Sequence, residues 1–200
     1  MEKVLQYKAA LEKRGFKVRV FESAAQVKET LLVEIPEGAT VGVGGSMTIE
    51  ELGVEAILRA KGHEVYWHWK SSPAERAEVT AKAFLADYYL MSANAIYCDG
   101  SLWNIDGNGN RVGTMIGGMG KLIVVAGKNK LTEEDPVARI KRDACPKNAV
   151  RLGLKTPCAL TGKCTDCASP DRMCKLTVEL KNPPTARNME VWLVNEDMGY

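Results

Sequence analysis

Five consecutive apolar residues, Leu122-Ile123-Val124-Val125-Ala126, three of them β-branched, stand between glycines at 120 and 127. A strand that is apolar at every position offers no face to water, so it has to be covered on both sides. A parallel sheet with helices on each face meets that requirement. The flanking sequence agrees with it. Val4, Tyr7 and Leu11 recur at helical spacing before Gly15, and Phe16, Val18 and Val20 then alternate as in a strand. Ser23 precedes a second helical stretch with Val27 and Leu31, Pro36-Glu37-Gly38 interrupts it, and residues 39–43 form an apolar run ending in glycines. Thr48 and Glu51 have capping-box spacing for a third helix through Ile49, Leu52, Ala56 and Ile57 to Gly62. A strand over 64–69, a helix from Pro73 to about Ala86, and short strands at 88–91 and 96–98 follow.

This alternation predicts one α/β domain over residues 1–200, with a mostly parallel sheet flanked by helices. Near Cys145 the character changes. Helical periodicity yields to Pro, Gly, Lys and Cys, so residues 145–182 read as a cysteine-rich extension packed on the body, ahead of a final strand at 190–195. At 46% hydrophobic and 26% charged residues, a chain of 200 can bury a continuous core. Its 27 Lys plus Arg nearly balance 25 Asp plus Glu, so nucleic acid is not an expected partner, and any bound anion has to be held by local groups. No stretch approaches the roughly 20 apolar residues of a membrane span, and Glu2, Lys3 and Lys8 break the apolar run that a secretory signal needs. The expectation is a cytoplasmic chain with no membrane partner, whose six cysteines are thiols or metal ligands rather than disulfides.

Four constellations carry chemistry. In the first, Val41-Gly42-Val43-Gly44-Gly45-Ser46-Met47-Thr48, a strand runs through glycines into a helix start. Glycine backbone permits close approach, a helix N-terminus presents free N–H groups, and the hydroxyls donate, so Gly44, Gly45, Ser46 and Thr48 are candidates for holding a phosphate or carboxylate. The run lacks the Lys-Ser/Thr of a P-loop, and Met47 occupies the third glycine position of the dinucleotide fingerprint, so no nucleotide cofactor is expected. A tight turn with no ligand remains the alternative. The second, residues 92–111, holds two Asp-Gly pairs and four asparagines. Its turns suit a hairpin. They also place Asn94, Gly100, Asn104 and Asn110 to meet a small polar ligand, Arg111 to grip an anion in a bidentate way, and Asp99 or Asp106 to serve as acid or base. The third, Gly127-Lys128-Asn129-Lys130, lies just past the carboxyl end of the best strand, where α/β sheets carry ligand loops, and marks Lys128 as a charge partner.

The fourth is a C-x5-C-x2-C-x6-C run through Cys158, Cys164, Cys167 and Cys174. Four soft ligands without a nearby histidine suit zinc or an iron–sulfur cluster, with Cys145 as a further ligand, while free thiols or a disulfide stay open. Cys98 reads as a small buried hydrophobe, and His63 and His68 as structural, since neither has a triad partner in sequence.

Taken together, Val41-Gly-Val-Gly-Gly-Ser-Met-Thr-Ile-Glu-Glu-Leu-Gly53, Ser92-Ala-Asn-Ala95, Asp99-Gly-x-Leu-Trp-Asn-Ile-Asp-Gly-x-Gly-Asn-Arg111 and Gly127-Lys-Asn-Lys130 resemble the lactate-utilisation (LUD) domain family, including its C-type proteins. The resemblance implies a fold like that of sugar-phosphate isomerases and CoA transferases, Rossmann-like, with an anion held by a loop such as residues 44–48 and an Asp-Gly loop such as Asp99-Gly100 across from it. It also implies a place in lactate-to-pyruvate oxidation beside iron–sulfur partner subunits. Shorter members of the family lack the cysteine run, and the carboxylate nucleophile of a CoA transferase has only Glu50 and Glu51 as neighbours in sequence. The resulting expectation is a protein of organic-acid metabolism that binds a small anionic metabolite and carries a metal centre. A non-catalytic sensor or assembly subunit, and a phosphosugar isomerase or CoA-ester enzyme, are the alternatives.

Overall fold

The computed structural model describes residues 1–200. Helix α1 (Glu2–Lys13) turns Val4, Tyr7 and Leu11 inward, and Gly15, at a φ of 89°, reverses the chain into β1 (Lys17–Phe21). Helix α2 (Ala24–Glu34) starts where the Ser23 hydroxyl accepts the Gln26 N–H, and β2 (Val41–Val43) follows. The single helix expected after it is two, α3 (Met47–Leu52) and α4 (Val54–Ala60), because Gly53 sits in the left-handed region at a φ of 62°. The cap of α3 is Ser46, whose hydroxyl accepts the Ile49 N–H, and not Thr48, which is fully buried.

The strand expected over 64–69 is only β3 (Val65–Tyr66). A 3-10 turn, His68–Lys70, replaces its second half. Then come α5 (Arg76–Leu85), β4 (Tyr88–Met91), β5 (Ala95–Tyr97), β6 (Leu102–Asp106), α6 (Asn110–Gly117), β7 (Lys121–Gly127) and β8 (Leu131–Thr132). Helix α7 (Pro136–Arg139) passes through one π-helical turn, Ile140–Ala144, into α8 (Cys145–Arg151), followed by α9 (Pro157–Thr161), β9 (Leu176–Leu180) and β10 (Met189–Val194).

Six strands form a parallel sheet in the order β1-β10-β7-β4-β2-β3. The apolar run of β7 lies near its centre and is divided between the two faces. Ile123 and Val125 pack with Val27 and Leu31 of α2, Ile49 of α3 and Leu58 of α4. Leu122, Val124 and Ala126 point the other way, toward α1, Val112 and Met115 of α6, and a second sheet. The fold is therefore α/β and Rossmann-like. At ~1.5–3 kcal/mol per fully buried aliphatic side chain, β7 alone anchors both cores.

The second sheet, in the order β8-β5-β6-β9, is mixed, with β5 and β9 antiparallel to β6 and β8 parallel to β5. Strand β9 lies within residues 145–182, so part of the expected extension is an integral strand, paired with β6 from Leu102↔Leu180 to Asp106↔Leu176. A third, smaller core joins Ala95 and Ile105 of this sheet to Ile140, Ala144 and Cys145. It fixes α8 and the cysteine segment against the carboxyl edge of the parallel strands. No helix is long and apolar enough to cross a membrane.

Candidate functional site

In open parallel sheets ligands bind beyond the carboxyl ends of the strands, and a cavity of about 410 Å³ lies there. Gly45, Ser46 and Met47 enter it from the end of β2, Ser92 and Asn94 from β4, and Lys130 from β7. The other walls are His68 and Trp69 on the 3-10 turn, Asp106, Gly107, Asn108 and Asn110 with Arg111 at the start of α6, Cys145, Asn148 and Arg151 on α8, and Arg172 and Lys175 of the cysteine segment. Arg151 is stacked on the Trp69 ring at 4.0 Å. The N–H groups of Gly45 and Ser46 have no acceptor within the chain.

Lys130 is the only buried lysine of the chain. Its Nζ donates to Thr48 Oγ1 at 2.9 Å and Ser92 Oγ at 3.0 Å, and no carboxylate forms an ion pair with it. Burial, reinforced by the Arg139 and Arg111 charges and only partly opposed by Glu51, lowers its pKa to about 7. Arg111 is buried beside it. Its Nη1 donates to Ser92 O at 3.2 Å and Asn104 Oδ1 at 2.9 Å, and its Nη2 to Asn94 Oδ1 at 2.9 Å and Ile105 O at 2.8 Å. All four Nη hydrogens are thus engaged, and Arg111 contributes charge to the wall rather than the free bidentate fork expected of it. Burial, helped by the Arg76 and Arg151 charges and opposed by Asp106, lowers the His68 pKa, so its imidazole is neutral near pH 7.

The two carboxylates singled out in the sequence do structural work. Asp106 Oδ1 accepts the Asn108 and Gly109 N–H groups at 3.0 and 3.1 Å, and Oδ2 accepts the Val112 N–H at 3.2 Å, which ties the turn before α6. Burial pushes this carboxyl up, but the Arg111 charge and those three donors outweigh it and hold the pKa below the usual carboxylate value. Asp99 lies outside the cavity, exposed, where it accepts from the Ser101 N–H and hydroxyl and pairs with Arg14 at 2.5 Å. Gly100, at a φ of 87°, is packed on the α1 backbone at Ala10. Cys98 is exposed in the same turn rather than buried, because the chain leaves the sheet after Tyr97.

The remaining candidates divide by the same test. Asn94 and Asn110 line the cavity with Gly45 and Ser46, whereas Asn104 and Thr48 stand behind it, holding Arg111 and Lys130. The space a side chain would need at Gly44 is filled by Tyr89, Arg111 and Met91, and at Gly45 by the Trp69 indole. These glycines answer to protein packing. Lys128 is exposed on the 3-10 turn after β7, and that turn aims Lys130 inward instead. His63 bonds Ala39 O at 3.0 Å through Nδ1 and is structural.

Comparison with known proteins bears on the whole of this arrangement. The model of the LUD domain matches residues 4–194. The chain belongs to the LUD-domain family. This family is related to lactate utilisation. A solved structure described as a DUF162 family protein from Deinococcus radiodurans is similar to this LUD-domain chain over 97% of each, with a TM-score of 0.56 at 14% identity, a likeness of fold. No curated protein is a significant match.

The cysteine segment of this LUD-domain protein is folded over the cavity. Cys145, Cys158, Cys164, Cys167 and Cys174 all line one small enclosed space, which shares Cys145, Arg172 and Met173 with the larger cavity. None of the five is in a disulfide. The Cys164-x-x-Cys167 turn bends at Asp166, a non-glycine residue at a φ of 48°, and the Asp166 N–H donates to Cys164 Sγ at 3.4 Å. Burial pushes the Cys145 thiol up to about 12, and the neighbouring Cys174, Cys164 and Cys158 sulfurs add to the shift. No three of the side chains are arranged as a ready single-ion site. Sequence reasoning missed Lys130, His68, Ser92, Arg151 and Tyr200 as lining residues. For Lys130 the signal was present as the second lysine of Gly127-Lys-Asn-Lys130, but only the 3-10 turn decides which of the two faces inward.

Proposed function

We propose that this LUD-domain chain is a protein of lactate or related organic-acid metabolism, binding a small carboxylate- or phosphate-bearing metabolite in the cavity at the carboxyl ends of β2, β4 and β7. The observation that carries the reading is the charge of the walls. Arg111, Arg151, Arg172 and Lys175 face Asp106 and Asp171 across one cavity, with the Lys130 amine beside them, and the Gly45 and Ser46 amides stand ready to donate. Four cationic side chains against two carboxylates, one of them paired with Arg111 at 3.8 Å, leave a net field that favours an anion. Arg151 and the loop amides bind it, Arg111 raises the local potential, and the cysteine segment limits access of water.

The proposal extends to a metal centre, an iron–sulfur cluster or zinc, on Cys158, Cys164, Cys167 and Cys174 with Cys145 adjoining. The donor set fits in its chemistry, since five unpaired thiols share one space. No three of them already stand as ligands of one ion, so the loop has to close up around either zinc or a cluster. When bound, a cluster supplies electron transfer to or from partner subunits, and zinc supplies a fixed loop. A non-catalytic sensor or assembly subunit is the second reading, favoured by one observation: neither Asp99 nor Asp106 is free to act as a base.

Thermal-shift screening against lactate, pyruvate, sugar phosphates and CoA esters tests the pocket, because a ligand of the folded state raises Tm. A rise with the small organic acids that is lost in Arg151→Ala supports the reading, and no rise with any of the four classes overturns it. Visible absorbance with iron, sulfide and zinc analysis of anaerobically purified protein tests the metal centre, which a colourless sample free of iron and zinc removes.

A further inference from the structure

A buried lysine ordinarily pairs with a carboxylate, which balances its charge. Lys130 does not. Its two partners are hydroxyls, and each has another acceptor for its own hydrogen: Thr48 Oγ1 lies 3.3 Å from both Met198 O and Ser92 Oγ, and Ser92 Oγ lies 3.2 Å from Ala93 O. Each hydroxyl therefore accepts one hydrogen from Nζ. A neutral primary amine has two hydrogens and one lone pair, so two hydroxyl acceptors satisfy it completely and leave the pair over, on a residue that lines the cavity. An ammonium group would need a third acceptor, and neighbouring Arg111 and Arg139 oppose its charge. The chain thus offers acceptors for the two hydrogens of the amine and none for the third hydrogen of the ion.

We propose that Lys130 is a nucleophile that condenses with the carbonyl carbon of a small 2-oxo acid held in this cavity. This rests on the anion-pocket reading, because the carboxylate of the acid is what Arg151 and the loop amides would hold while the carbonyl meets Nζ. The Nζ lone pair forms the C–N bond as the C=O pair moves onto oxygen, and one amine proton passes to that oxygen to give a carbinolamine. The nitrogen pair then forms the C=N bond as the hydroxyl leaves with a second proton as water. The sum is oxo acid plus amine giving imine plus water, with no oxidant or reductant required. The imine nitrogen, once protonated, draws electrons from the adjacent carbon.

Sodium cyanoborohydride with pyruvate converts such an imine to a stable secondary amine, which intact mass and peptide mapping locate. The expected result is one pyruvate adduct per chain, on Lys130. It is absent with lactate, which has the carboxylate but no carbonyl, and absent in Lys130→Arg, whose guanidinium is not a nucleophile. Lys130→Met serves where the arginine variant fails to fold by circular dichroism. Pyruvate that raises Tm yet leaves no adduct overturns the nucleophile and leaves the anion pocket standing. Adducts scattered over exposed lysines and unchanged in the variants overturn it as well. No adduct overturns the nucleophile whatever the Tm result, and no adduct together with no rise in Tm from any of the four ligand classes overturns both.

Discussion

At the scale of single residues, the site is governed by which polar atoms are already engaged. Lys130 titrates near 7 in the folded chain, against an ordinary value of 10.5. The folded state thus releases this proton first, and the cost of burying the ammonium is full below pH 7 and fades as the pH rises toward 10.5. Two outcomes follow from that sign. The rate of pyruvate trapping rises as the pH passes upward through about 7, and Lys130→Met gains more stability over the native protein at mildly acidic than at alkaline pH, readable in denaturant titrations. Asp106→Asn weakens a carboxylate that accepts three amides and costs about 2 kcal/mol of stability. Asp99→Asn, at an exposed pair with Arg14, costs under ~1 kcal/mol and leaves metabolite binding unchanged. Composition made Asp, Asn and Arg in residues 92–111 look like a ligand set, and most of them bind one another. A list of residue types does not say which donors a neighbour has already claimed.

At the scale of elements, local signals were most reliable where they rest on backbone geometry and least where packing chooses between equals. The Ser23 cap and the buried strand β7 follow from residue chemistry that no neighbour overrides. The break between α3 and α4 turns on Gly53, a position that the single helix expected up to Gly62 runs straight through. An added Cβ there meets nothing within 4 Å, so Gly53→Ala measures backbone strain alone, and its expected cost is ~1–2 kcal/mol in chemical denaturation. Gly42→Ala costs more, because its Cβ would meet the Ala83 backbone on α5 and the Tyr89 ring. The shortened β3 shapes the cavity wall. Its 3-10 continuation carries His68 and Trp69 to the cavity, and no periodicity marks that change of direction.

For the whole molecule, two large cores on the faces of the parallel sheet contain no cysteine, and the third, smaller core contains Cys145 with Cys174 packed against it. Chelation of a bound metal is therefore expected to expose residues 152–175 to limited proteolysis while the main melting transition persists. A main transition lost on chelation would place the metal in the folding of the entire domain instead. The sequence by itself determined the α/β class, the burial of β7, the helix that opens the chain and the presence of a thiol-rich segment. Each of these depends on hydrophobicity, spacing or the covalent properties of nearby residues. Only the tertiary structure decided that Lys130 rather than Lys128 faces the cavity, that Arg111 and Asp106 are engaged by the protein itself, and that five cysteines spread over thirty positions border one space beside it. Those outcomes depend on where distant segments meet, and the direction of a side chain there is set by the partners that other parts of the fold bring to it.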